Sequence, residues 1–138
     1  MNVVPSDCPP FTFHRGTAPL LVSMPHVGTH VPDAIARRLN PEARSVPDTD
    51  WHLERLYGFA KSMGASVLVA THSRYVIDLN RPPDDSSLYP GQSVTALCPV
   101  DAFDSTPLYS GRLVPDAAEV AARREALWEP YHAQLREE

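Results

Sequence analysis

Two apolar runs, "APLLVSMP" over 18–25 and "ASVLVATHS" over 65–73, constrain this chain more than any other feature. The first is continuous until Pro25 stops it and the second is rich in Val, the pattern of strands buried on both faces. Between them lies the clearest helical stretch. Asp48 is the expected N-cap of "TDWHLERLYGFAKSMG", with Leu53, Leu56, Tyr57 and Ala60 at helical spacing and Gly64 as the C-terminal stop. Strand, helix and strand in that order predict an α/β fold with a mixed, largely buried sheet flanked by helices.

The rest of the chain is assigned around that unit. Residues 1–17 read as a polar, Pro-containing lead with one short apolar piece, "FTF". A short helix is expected over Asp33–Leu39, and a third strand at "YVIDLN". A Pro- and Ser-rich loop follows from Pro82 to about Val94, then short extended pieces at "TALCPV" and "LYSGRLV". The closing stretch "DAAEVAARREALWEPYHAQLREE" is helical, with a bend at Pro130. The 138 residues suit a single domain with a real core. The 15 prolines fall at the junctions between segments and so punctuate loops.

A net charge of −5 argues against a generic nucleic-acid or anionic-membrane binder. No apolar run approaches membrane-spanning length, and the N-terminus lacks a basic region followed by an apolar core. Cys8 and Cys98 stand in no metal-like spacing and read as free thiols. The expected setting is the cytoplasm.

Sites in open α/β sheets form at the carboxyl ends of strands. His26 follows the first strand in "SMPHVGTH", held between Pro25 and Gly28; it is either a turn-capping loop histidine or an imidazole aimed into a cleft. His30 reads as a supporting or surface residue. In "DTDWH", Asp48 is the N-cap, Asp50 is a carboxylate able to project toward His26, and His52 and Glu54 belong to the helix surface. In "SRYVIDLNRPP", strand alternation puts Arg74, Val76, Asp78 and Asn80 on one face, so Asp78 can neutralise Arg74 or Arg81. That set is either a structural ion pair or a carboxylate-recognition site, since guanidinium forks and an Asn amide match a carboxylate well. Tyr89 and Gly91 belong to an ordinary surface loop that could also lie over the site.

The three motifs "SMPHVGTHVP", "DTDWHLERLY" and "SRYVIDLNRPP", in this order, make the chain resemble the N-formylglutamate amidohydrolase (N-formylglutamate deformylase) family over about residues 18–138. The "DLNR" element is also similar to one in zinc carboxypeptidase and aspartoacylase-like hydrolases, whose fold the family shares. The resemblance implies a zinc ion that activates water against a formyl amide, releasing formate and L-glutamate, with histidine degradation as the pathway it suggests. His26 matches the first zinc ligand. Asp50 is assigned as the second, because Thr29 stands where the carboxypeptidases carry a ligand Glu. Asn80 and Arg81 would hold the substrate α-carboxylate, and Arg74 would polarise the scissile carbonyl or share that anion.

Family members are about twice as long, and the resemblance implies a further "D-H-S"-like strand with a third ligand and a Glu base. Neither His72, one strand from the site, nor His132, on a helix face, is a convincing substitute. The chain is therefore expected to be a truncated gene product, a fragment or a domain completed by another polypeptide, inactive or weakly active alone, with a sheet edge open to self-association. Two other readings stay open. One is a zinc amidohydrolase acting on another N-acyl amino acid; the other is a non-catalytic module that keeps the anion site.

Overall fold

The computed structural model describes residues 3–5, 7–87, 89–91 and 96–138. Its sheet has three strands, β1 (Phe11–His14), β2 (Leu21–Met24) and β3 (Ser66–Ala70), in the order β1-β3-β2. β3 pairs parallel with β2 and antiparallel with β1, so the sheet is mixed, as expected. The "FTF" piece of the supposed lead is thus β1, a working strand of the sheet.

All of β3 is buried because it carries a core on each face. Leu68 and Ala70 pack with Ile35, Ile77, Leu127 and Tyr131, while Val67 and Val69 pack with Met24 and Ala60. The period-2 alternation of a strand sends successive side chains into these two clusters, which is why the run is apolar throughout.

The long helix expected over 48–63 is a correction. It is broken into α2 (Leu53–Leu56) and α3 (Phe59–Ser62), following α1 (Asp33–Ala36) and a 3₁₀ turn at Ala43–Ser45. Asp48 does not cap it. His52, in the left-handed region at φ 63°, precedes α2, and the Asp48 carboxylate instead accepts hydrogen bonds from Tyr75 Oη at 2.7 Å and the Phe103 amide at 2.9 Å. Gly64, at φ 85°, does end α3.

The expected strand at 75–80 is the second correction. The chain is buried from His72 to Leu79, but residues 75–80 run as turns with no strand pairing among the described residues. Val76 N–H donates to Ser73 O, and Asp78 N–H to Leu97 O. Burial satisfied by turns and loop partners gives the same apolar signature as burial satisfied by a ladder. The "LYSGRLV" piece contributes one isolated bridge, Leu39 to Tyr109. Leu88 and Gln92–Thr95 lie outside the described residues, and with them part of the loop expected from Pro82 to about Val94 and the start of "TALCPV".

The closing helix is legible from its ends. Asp116 caps α4 (Ala117–Arg123) by accepting from Glu119 N–H at 2.8 Å, and α5 (Glu129–Glu137) runs on from it. Between them Arg124–Trp128 forms a π turn directly ahead of Pro130, whose missing N–H cannot continue the regular ladder. This helix clasps the 75–83 segment. Arg123, fully buried, donates to Val76 O and pairs with Glu119; Trp128 donates to Arg81 O, and His132 to Leu79 O at 2.8 Å. His132 is thereby a packing residue stacked on Trp128, its ring centroid 3.7 Å away.

Candidate active site

The geometry of the site begins with an arch. Met24 pairs with Val69 and His30 with His72, so the segment after β2 takes six residues to cover what takes three after β3. With three residues more than its partner, Pro25–Thr29 bows out at the carboxyl ends of the parallel strands and carries His26. Gly28 permits the return: a Cβ there would lie 2.2 Å from His72 O. No other residue type fits that approach without moving one of the two backbones.

His26 stands between two carboxylates. On one side its Nε2 lies 2.6 Å from Asp78 Oδ1; on the other its Nδ1 lies 3.9 Å from Asp50 Oδ2. Asp50 is placed by a backbone bond, its N–H donating to His26 O at 3.0 Å, so the two residues travel together. It precedes α2 by three residues, and the dipole support expected from a long helix falls away.

Asp78 is the hub. Its carboxylate is 1% exposed and accepts from His26, from Asn80 N–H at 3.0 Å and from Arg74 Nη2 at 3.2 Å, with Arg81 Nε 3.9 Å away. Burial pushes this carboxyl upward, but His26, the Asn80 amide and Arg74 together outweigh it and hold the group below its ordinary 3.8. An ionised Asp78 only accepts, so the 2.6 Å contact fixes the His26 ring proton on Nε2. Nδ1 faces the half-exposed Asp50. Sequence alternation had given Asp78 to the arginines alone; the partner it missed, His26, is 52 residues away.

Arg74 is buried, with its guanidinium carbon 4.5 Å over the Phe103 ring, while Asn80 is exposed and Arg81 partly so. Arg74, Arg81, His26 and the Asn80 backbone N–H thus gather around Asp78, and Asp50 stands on the other side of His26. Tyr89 is exposed. His52 and Glu54 are exposed, as expected of surface residues.

His26 Nδ1 and Asp50 Oδ2 fit two positions of a metal site. At 3.9 Å they are too far apart to share a proton, and donors on one zinc ion stand about 3.3 Å apart. A histidine whose other nitrogen donates to a carboxylate is the usual arrangement for a metal-bound imidazole. Among the described residues the one closed set of three potential ligands lies elsewhere, at Cys8, His30 and His72. His72 is buried, and desolvation, with His30 adding to it against Asp7, lowers its pKa to about 4.

Fold and site together define an α/β domain with a histidine held between carboxylates and flanked by arginines at the carboxyl ends of its parallel strands. Residues 18–138 match the N-formylglutamate amidohydrolase family, and the chain belongs to it. It is 50% identical to the N-formylglutamate deformylase of Pseudomonas putida over 127 residues, and 49% identical to that of Pseudomonas aeruginosa. The match takes in 92% of this chain but 47% of either relative, so the chain spans about half their length. The crystal structure of an N-formylglutamate amidohydrolase from Ralstonia eutropha JMP134 superposes with a TM-score of 0.74 at 30% identity, covering 94% of this chain and 50% of that one. A gene product of Agrobacterium tumefaciens, at 22% identity and a TM-score of 0.63, shares the fold.

Proposed function

We propose that this chain supplies the carboxylate-binding groups and two zinc ligands of a site that hydrolyses N-formyl-L-glutamate to formate and L-glutamate. One observation carries the reading. The His26 imidazole is locked by Asp78 at 2.6 Å so that its other nitrogen, Nδ1, faces Asp50, with Arg74 and Arg81 on the same carboxylate. His26 Nδ1 and Asp50 would hold the metal, which supplies a water ionised near neutral pH. A carboxylate behind the histidine is the usual support of a metal-bound imidazole.

The remaining groups bind and orient. Asn80 and Arg81 take the α-carboxylate, and Arg74 directs donors not used by Asp78 at the formyl oxygen, stabilising the charge that grows there. Asp78 touches no substrate in this scheme. It holds the ring of His26 and the guanidinium of Arg74 in register, so it acts as a positioning residue.

The test is formate release from N-formyl-L-glutamate by the purified chain with equimolar zinc. Turnover that disappears in His26→Ala and Asp50→Ala supports the reading, and turnover indifferent to both removes it. Glutamate binding without turnover, lost in Arg81→Ala, keeps the anion site and assigns the chain to binding alone. Replacing the formyl by an acetyl group in the same assay reads the acyl preference, on which the carboxylate-binding residues are silent.

A further inference from the structure

The least explained polar atom in the core is His72 Nε2. His72 is 3% exposed, yet this nitrogen has no hydrogen-bond partner among the described residues. Its neighbours fix which form it takes. The Thr71 hydroxyl has one proton and gives it to Pro9 O, so toward His72 Nδ1, 2.9 Å away, it can only accept. Nδ1 therefore bears the ring proton and Nε2 the lone pair. A buried lone pair without a donor is a defect that a protein seldom leaves unexplained.

Two potential ligands surround that lone pair. The His30 ring meets His72 edge-on, centroids 4.8 Å apart, and Cys8 stands over both; one donor atom from each of the three lies within 4.8 Å of the others. The backbone holds them there. His30 N–H donates to Thr71 O and Ser73 N–H to His30 O, while Thr71 Oγ1 and N–H reach Pro9 O and Pro10 O and so moor the Cys8 segment.

We propose that Cys8 Sγ, His72 Nε2 and an imidazole nitrogen of His30 form a binding site for a thiolate- and imidazole-preferring divalent metal of the Zn2+ class, separate from His26 and Asp50. Thiolate sulfur and imidazole nitrogen are the donors that select such ions, with metal–sulfur and metal–nitrogen distances near 2.3 and 2.0 Å. These set sulfur and nitrogen about 3.6 Å apart on a bound ion, so a set whose atoms lie within 4.8 Å of one another draws together on binding. Cys8 is partly exposed, so its side chain has room to turn on the moored backbone. The Thr71 hydroxyl behind His72 is the outer contact that fixes tautomer and ring plane at metal sites. Binding turns the Cys8 thiol into a thiolate, its proton passing to solvent as the sulfur–metal bond forms. The metal would pin the N-terminal segment to the ends of β2 and β3.

Cobalt(II) tests this directly, because a thiolate–cobalt bond absorbs in the near ultraviolet and the donors at His26 and Asp50 contain no sulfur. Titrating the reduced, oxygen-free chain with Co2+ is expected to give that absorption, saturating at one equivalent and displaced by Zn2+. It should vanish in Cys8→Ser, weaken at least tenfold in midpoint in His30→Ala, and persist in Cys98→Ser and His26→Ala. His72→Ala empties a core position, so Cys8→Ser and His30→Ala, at partly exposed residues, are the deciding variants. No near-ultraviolet band at equimolar Co2+, or a band that survives Cys8→Ser, overturns the proposal.

Discussion

Replacing Asp78 probes the centre of the site and separates its charge from its shape. The carboxylate is 1% exposed and receives His26, Arg74 and the Asn80 amide at 2.6, 3.2 and 3.0 Å. Asp78→Ala leaves the Arg74 side chain, only 10% exposed, without its counter-charge, and breaking a buried pair in this way costs about 3–5 kcal/mol. Asp78→Asn keeps the volume and one acceptor oxygen but turns an amide group toward a cation or a ring N–H. An unsatisfied buried donor of that kind costs about 1–3 kcal/mol. The pH dependence carries a sign. The folded-state carboxyl lies below its ordinary 3.8, so its contribution is complete above that value and drains away as the pH falls beneath it. Urea unfolding in neutral buffer and again below the ordinary carboxylate range measures both effects, the midpoint shifting at constant slope. The gap between wild type and Asp78→Asn should be wide at neutrality and narrow in acid. A variant within about 0.5 kcal/mol of wild type at neutral pH, or a gap that acid leaves unchanged, refutes the reasoning.

Three further outcomes follow from the same geometry. Arg81→Ala should weaken glutamate binding by about 10- to 100-fold in calorimetry, the worth of a charge-assisted hydrogen bond, with the unfolding midpoint little changed. Gly28→Ala forces a Cβ to within 2.2 Å of His72 O and should destabilise by about 1–3 kcal/mol in urea. Tyr75→Phe removes the 2.7 Å bond to Asp48 and should cost about 0.5–1.5 kcal/mol in the same assay, whereas Asp48 acting as a helix cap predicts no effect of Tyr75 at all.

Much of the site was legible because its residue types are scarce and their positions fall at strand ends. His26 sits between a proline and a glycine after an apolar run, and "DLNR" combines an acid, an amide and a guanidinium within four residues. Both are local facts. What stayed hidden was how they meet. The 75–80 segment has the apolar content of a strand, yet Asp78 captures the Asn80 amide and its own N–H goes to Leu97, so the chain turns. The helix at 48–63 has the spacing of one piece, yet Asp48 finds a better partner in Tyr75 and the helix starts late. Competition between a local cap and a distant hydroxyl leaves no trace in spacing.

Sequence alone determined that the two apolar runs would be strands of an α/β fold, and which polar residues would follow them. Those outcomes rest on apolar runs, alternation and terminators, all of them local along the chain. Of the two runs, only β3 is buried throughout, whereas in β2 Ser23 is exposed and Met24 alone is buried. The tertiary structure alone decided that Asp78 would serve His26 before either arginine, and that Cys8 would come to rest against His30 and His72. The physical reason is distance along the chain. A hydrogen bond across 52 residues exists only once the parallel pairing of β2 with β3 has brought its two ends together.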